Sequence, residues 1–197
     1  MTRFDLLDEM VSDGNGYLRT ADVVARGVSK PTLAEFVHAR NMERVAHGIY
    51  LAEDSWEDDL FQLAASNSRI IYSHETALHL HGLMEREPKN ISATVMTGYN
   101  ASHLRQKGVR IYQVQRGIYA LGLSEESTTW GHTVPVYDME RTICDIIRYK
   151  NEMDIQVFQH AMKEYMASNR KNLNHLMQYA RLLHVDEKVK IYTEVML

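Results

Sequence analysis

The sequence predicts an α+β protein with a first module of short helices and a larger mixed α/β module that ends in helices. Three observations predict this class. Apolar residues recur at helical spacing near the start, four short β-prone runs occupy the middle, and helical spacing returns from Met139 onward. At 197 residues, with 45% hydrophobic and 24% charged residues, the chain is long enough to bury a core without disulfides.

Composition restricts where and how the protein works. Because the net charge is only -4, a nucleic-acid role must rest on local basic patches. The single cysteine, Cys144, excludes an intrachain disulfide framework and favours a reducing compartment, so we expect the cytoplasm. The acidic, amphipathic start lacks the pattern of a signal peptide, and no apolar stretch approaches the length of a membrane span.

Two helices are predicted at the beginning of the first module. Apolar residues between Phe4 and Val11 recur at helical spacing, and the turn formers of Gly14–Gly16 end that helix. Thr20 is a suitable N-cap for a short second helix, which Gly27 ends after about two turns.

A third helix and a hairpin complete the first module. Ser29 is the predicted N-cap of the helix Lys30–Arg40, where Pro31 is tolerated because amides of the first turn lack partners inside the helix. After Asn41, the segment Met42–Leu51 has the pattern of two strands joined by a turn at His47-Gly48.

This order of helices and hairpin is that of a winged helix-turn-helix, whose third helix can enter the DNA major groove while the wing contacts the backbone or minor groove. We place this domain at residues 1–54 and the second at 55–197. Lys30 and Arg40 are expected to contact phosphates or guanine edges. The full set of candidate DNA contacts is Arg26, Ser29, Lys30, Thr32, His38, Arg40, Arg44 and His47.

A protein-interaction role for the first module stays open beside DNA binding. Residues 1–60 contain 6 basic against 12 acidic side chains, and Glu35 lies on the expected reading face. The acidic residues concentrate around Trp56, in the segment Glu53–Asp59, where we place the module boundary.

The second module is expected to be a mixed α/β domain with a helical C-terminal part. Its β-prone runs are Ile70–Tyr72, Ile91–Val95, Val109–Val114 and Thr133–Val136. Ser73 is the predicted N-cap of a helix that ends at Gly82, and two or three packed helices follow Met139.

A second basic surface is possible in this module. The interval from Pro88 to Ser124 contains no acidic residue, but its basic side chains are interleaved with tyrosines. This pattern fits either a solvated sheet edge or a second nucleic-acid surface. The candidate residues are Lys89, Arg105, Lys107, Arg110 and Arg116, with Arg148, Lys150, Arg170 and Lys171 further along.

Catalytic motifs are not evident. His74 and His79 are five residues apart, about 140° around a helix, whereas the zinc-protease pair is four apart. Cys144 is expected in the core or at its boundary. Asp138 fits a helix N-cap, and Glu140, Arg141 and Asp145 fit a structural ion-pair set.

We therefore expect no enzyme activity, no metal and no cofactor. A metal-dependent nucleic-acid-processing enzyme, with Asp138, Glu140 and Asp145 as metal ligands, remains the alternative from another functional class.

Three segments together resemble the AbiEi family of antitoxins: RVAHGIY at 44–50, SHETALHLHGL at 73–83 and VYDMERTICD at 136–145. The family belongs to bacterial abortive-infection systems, which are type IV toxin–antitoxin systems active against phage. The resemblance covers nearly the whole chain.

The resemblance implies two activities. The N-terminal domain would bind inverted repeats in the promoter of its own operon as two protomers and repress transcription, and the C-terminal domain would neutralise a nucleotidyltransferase-like toxin encoded alongside. Type IV antitoxins oppose the toxin without necessarily forming a stable complex, so direct contact with the toxin is not implied. Catalytic residues are not implied either.

Overall fold

A computed structural model describes residues 2–196, and of residues 195 and 196 only the backbone. The chain has a mixed α/β fold that divides into two compact units. The first unit contains the chain up to Ser68 together with Ser127–Thr133; the second contains Arg69–Glu126 and the chain from Val134 onward. The sequence-based boundary after residue 54 therefore falls inside the first unit, which also includes a later loop that no local pattern could assign to it.

The first unit combines four helices with a small antiparallel sheet. Strand order in the sheet is β1-β3-β2. The elements in chain order are α1 (Arg3–Asp13), β1 (Tyr17–Arg19), α2 (Thr20–Ala25), α3 (Lys30–Ala39), β2 (Glu43–Ala46), β3 (Ile49–Leu51) and α4 (Asp59–Ser66).

Local sequence explains most of these boundaries. The Ser29 side chain accepts a hydrogen bond from the Thr32 amide at 3.3 Å, so the predicted N-cap of α3 is confirmed. The predicted N-cap at Thr20 is wrong, because Thr20 is already helical and Arg19 precedes it as the cap. Arg19 supports this start by an ion pair with Asp22, Nε to Oδ2 at 2.6 Å.

Helices α1, α2 and α3 pack around one apolar core, whereas α4 packs against a second, smaller cluster. Leu33 and Phe36 of α3 are buried in the larger core, and α1 contributes Leu7, which is fully buried. Leu18 of β1 and Val23 of α2 complete its centre. Since Leu33 and Phe36 face inward, the remaining surface of α3 is available to solvent.

The second unit is built on a five-stranded mixed sheet with strand order β6-β5-β4-β8-β7. Strands β4 and β5 are antiparallel, whereas β4 pairs with β8, and β5 with β6, in parallel. Its first elements are β4 (Ile71–Tyr72), α5 (His74–Leu80), β5 (Ser92–Met96), α6 (Ser102–Gln106), β6 (Arg110–Val114), α7 (Arg116–Tyr119), β7 (Leu123–Ser127) and β8 (Thr133–Tyr137).

Four helices follow the sheet, one more than the largest number predicted. They are α8 (Met139–Arg148), α9 (Ile155–Ala167), α10 (Leu173–Leu182) and α11 (Asp186–Met196), with a 3-10 turn at Lys150–Glu152. The Asp138 side chain accepts from the Arg141 amide, which confirms the predicted N-cap of α8. Between residues 2 and 196, no helix has both the length and the apolar character to cross a membrane.

Candidate nucleic-acid interface

Helices α2 and α3 are joined by a short turn that contains a required glycine. Gly27 has φ of +79°, a conformation that residues with a Cβ atom rarely adopt. Two residues later the Ser29 cap fixes the first turn of α3. Lys30 is therefore exposed at the amino end of a ten-residue helix, where the helix dipole favours an anion.

Five of the candidate DNA contacts are basic side chains at the surface, one of which, Arg44, donates from Nε to the Ala46 carbonyl at 3.4 Å. All of them are exposed, and none forms an ion pair with a residue that the structure describes: Arg26, Lys30, His38, Arg44 and His47. Arg26 follows α2, Lys30 and His38 belong to α3, and the last two lie in the β2–β3 hairpin.

Arg40, in contrast, is already engaged. Its Nε atom donates to Oδ1 of Asp8 at 2.9 Å and its terminal nitrogen to Oδ2 at 2.6 Å. The guanidinium also lies over the Phe36 ring at 5.6 Å. The hydrogen bonds to Asp8 raise the pKa of Arg40. A phosphate would have to compete with this bidentate pair, so Lys30 is the stronger candidate of the two.

Ser29 and Thr32 are tied to each other. Their hydroxyl oxygens lie 2.8 Å apart, and the Ser29 oxygen also caps α3. In the hairpin, Gly48 has φ of +71°, and its carbonyl accepts from the Thr20 amide at 2.8 Å. This hydrogen bond ties the turn beside His47 to the first residue of α2.

The proposed second basic surface is partly neutralised in the second unit. Arg110 bonds Glu152 at 3.2 Å, and Arg170 bonds Glu126 at 2.8 Å. Lys150 donates to the Tyr192 hydroxyl at 2.8 Å, and Lys171 to the Ser168 carbonyl at 3.1 Å. These four side chains are therefore less available to a phosphate.

The other candidates of this surface are exposed. Arg148 lies over the Tyr149 ring at 5.8 Å. The rest have no ion-pair partner among residues 2–196. Lys89 lies in the loop between α5 and β5, Arg105 and Lys107 lie in and directly after α6, and Arg116 begins α7.

A buried ion pair in α8 replaces the predicted three-residue set. Arg141 is fully buried, and its Nε donates to Oδ2 of Asp145 at 3.0 Å. Burial raises the pKa of Asp145 to about 6, although Arg141 opposes the shift. Glu140 is not part of this pair, since its carboxylate accepts from the Tyr165 hydroxyl at 3.1 Å and from the Asn172 amide at 2.7 Å.

His74 and Cys144 are buried groups with little reactivity. The His74 ring stacks on Tyr112, with centroids 3.5 Å apart, and its Nε2 has no partner in the described part of the chain. Burial lowers the pKa of His74 well below its usual value, and Arg110 and Arg141 add to the shift. Cys144 lies in the core, as predicted, and burial raises the pKa of its thiol.

Within residues 2–196, no group of three or more His, Cys, Asp or Glu side chains could hold a metal ion. Asp138, which the alternative enzyme reading needs as a ligand, instead caps α8 and accepts from the Tyr179 hydroxyl at 3.0 Å.

Sequence reasoning missed a polar network in the first unit. Asp58 caps α4 by accepting from the Phe61 amide at 2.9 Å, and it also accepts from the Thr128 hydroxyl and from Nδ1 of His132 at 2.7 Å. On its other side, His132 Nε2 lies 3.2 Å from the Gly14 carbonyl. The N-cap at Asp58 had a local signal, but its partners are 70 and 74 residues away.

Comparison with known proteins supports the fold alone. No model of a known protein family matches the chain, and no curated protein matches it either. Among solved structures, the chain is similar to the RV2827C protein from Mycobacterium tuberculosis, with a TM-score of 0.57 and 11% sequence identity over 89% of this chain and 70% of that one. The two proteins therefore share a fold.

Proposed function

We propose that the first unit is a winged helix-turn-helix that binds DNA, and that the protein represses its own promoter. The observation that carries this proposal is the placement of Lys30. It is exposed on the first turn of α3, while Leu33 and Phe36, further along the same helix, are buried in the core and anchor the helix there. A helix anchored in this way can present one face to the major groove.

Charge around α3 supports the same proposal. Arg26 lies at the end of α2, before the turn that leads to Lys30, and Arg44 and His47 extend the basic character into the hairpin. These side chains have no carboxylate partner among the described residues, so they are free to neutralise phosphates. The overall acidity of the unit restricts the DNA contact to this narrow face.

We further propose that the protein is the antitoxin of a type IV toxin–antitoxin system. The support is the resemblance of three segments, at 44–50, 73–83 and 136–145, to the AbiEi family. The promoter would contain inverted repeats, and two protomers would bind them by symmetry. The second unit would oppose a nucleotidyltransferase-like toxin without acting as an enzyme.

Repression is tested by a promoter–reporter assay in cells. The reporter is placed behind the upstream region of the protein's own gene, and the wild-type protein is expected to lower its signal. Lys30→Ala should relieve repression. Lys163→Ala, an exposed lysine of α9 in the second unit, is the matched control and should repress like the wild type. If Lys30→Ala and Lys163→Ala both repress as strongly as the wild type, α3 is not part of the DNA interface.

The antitoxin function is tested separately by co-expression with the product of the adjacent gene. Growth arrest by that product and rescue by the wild-type protein are the expected results. Because rescue is assigned to the second unit, Lys30→Ala should still rescue growth. Failure of the wild-type protein to rescue would overturn the antitoxin proposal and leave the repressor proposal intact.

A further inference from the structure

The two tryptophans of the protein form an exposed stacked pair in the first unit. Trp56 is 72% and Trp130 44% exposed, although large aromatic side chains are usually buried. Their ring centroids are 5.5 Å apart and the ring planes differ by 11°. Neither the DNA-binding proposal nor the core of the unit uses this pair.

Both rings are carried by anchored segments. Trp130 lies between Thr128 and His132, both of which bond Asp58, and its carbonyl accepts from the Asn15 amide group at 3.3 Å. Trp56 lies two residues before Asp58, whose amide donates to the Tyr17 hydroxyl at 2.8 Å. A pair of large rings presented in this way loses little conformational entropy on binding, as is typical of residues that dominate an interface.

An acidic cavity is lined by Ser55 and Glu57, the residues on either side of Trp56 in the sequence. It has a volume of about 430 Å³, and its charged lining residues are all glutamates: Glu43, Glu53 and Glu57. None of the three forms an ion pair with a described residue. Asp54 and Asp59, both exposed, add negative charge to the same segment. The surface therefore repels phosphate and attracts cations.

We propose that Trp56, Trp130 and this cavity, here called the acidic tryptophan surface, form a docking site for a basic segment of a partner protein. An arginine suits the site best. Its guanidinium can stack on an indole ring and donate two parallel hydrogen bonds to one carboxylate, and its aliphatic stem covers apolar ring surface. Nucleic acid does not fit, because the glutamates would face its phosphates.

Intrinsic fluorescence tests the proposal on the intact protein. Since Trp56 and Trp130 are the only tryptophans, selectively excited emission reports on this surface alone. An arginine-rich peptide is the probe, and a glutamate-rich peptide of equal length and the protein's own promoter duplex are the comparisons. The arginine-rich peptide should shift the emission saturably, whereas the other two should leave it unchanged. No shift with the arginine-rich peptide, or an equal shift with the duplex, would overturn the proposal.

Two further measurements test the proposal. The second uses only the wild-type protein and therefore does not depend on the folding of a variant. Glu53→Gln/Glu57→Gln should weaken peptide affinity about five- to twentyfold, because each exposed charge pair changes affinity up to about fivefold. Glu85→Gln/Glu87→Gln, an exposed pair in the second unit, is the matched control and should bind like the wild type. On the wild-type protein alone, added salt should weaken the binding. Equal binding by both double variants, or binding that salt leaves unchanged, would contradict the assignment.

Discussion

Arg40 at the end of α3 donates two hydrogen bonds to the carboxylate of Asp8 in α1, from Nε at 2.9 Å and from Nη2 at 2.6 Å. The two residues are 32 positions apart, and both remain about half exposed. An arginine that the sequence offers as a DNA contact therefore also fastens α3 to α1. The pair limits how many phosphates the proposed recognition helix neutralises.

Breaking this pair should change the salt dependence of DNA binding. In Asp8→Asn the guanidinium loses its charged partner, so Arg40 becomes able to bind a phosphate. The slope of log affinity against log salt should become more negative by up to about 0.9. Glu9→Gln removes the same charge from the next residue and is the control. Identical slopes in the two variants would mean that Arg40 lies away from the DNA.

The Asp58 network should be a major source of stability in the first unit. Asp58→Ala removes the cap of α4 and leaves the buried His132 and Thr128 side chains without their acceptor. The expected loss in the free energy of unfolding is about 3 kcal/mol. Asp59→Ala, at the exposed neighbouring position, should cost less than about 1 kcal/mol. Urea denaturation measures both, and similar losses would contradict the assigned role of Asp58.

Two glycines of the second unit should respond to alanine with opposite signs. Gly122 has φ of +72°, and a Cβ atom there would lie 2.6 Å from Cβ of Arg141. Gly122→Ala should therefore destabilise the protein by about 2–4 kcal/mol. A Cβ atom at Gly117 in α7 would meet no atom within 4 Å. Gly117→Ala should therefore stabilise the protein by up to about 1 kcal/mol. Thermal unfolding compares the pair, and a harmless Gly122→Ala would mean that the backbone at this turn is different.

The neutral His74 ring should make stability depend on pH. Its pKa in the folded protein is lowered by burial, so below about pH 6.5 the unfolded chain binds a proton that the folded chain does not. Stability from this residue is thus present above that pH and lost as the pH falls. Asp145 titrates in the opposite direction, since its raised pKa adds stability on acidification.

His74→Asn isolates this contribution, because asparagine tolerates the positive φ of 51° at this position and Asp145 is present in both proteins. The stability advantage of the wild type over the variant should shrink by about 1.4 kcal/mol between about pH 7.5 and about pH 5.5. Urea titrations at both values measure the difference. An advantage that stays constant would show that folding does not lower the pKa of His74.

Local sequence was sufficient for the elements that carry their own signals. Ser29, Asp138 and the His47-Gly48 turn were predicted from residue type and position alone, because caps and turns depend on a few neighbouring residues. Strand β1 and edge strand β7 were missed. Tyr17–Arg19 is too short for a periodicity, and Leu123–Ser127 is rich in serine and glutamate, which are not strand formers.

Contacts between residues that are far apart in the sequence could not be predicted from the sequence. Nothing near His132 in the sequence indicates Asp58, and nothing near Trp56 indicates that Trp130 stacks on it. Arg141 was expected in an ion pair with neighbours on α8, but its full burial depends on carbonyls of Ile118 and Leu121, which accept from it at 2.8 Å. Such contacts are decided by tertiary packing rather than by local pattern.

Binding to the protein's own upstream DNA tests the central claim most directly. Fluorescence anisotropy with that duplex and with a scrambled duplex of equal length, at several salt concentrations, gives both specificity and the number of phosphates contacted. We expect tighter, salt-sensitive binding to the upstream duplex, with a shallower slope in Lys30→Ala and the wild-type slope in Lys163→Ala. A shallower slope in Lys89→Ala would extend the interface to the second unit. Equal affinity for the two duplexes would contradict the repressor function.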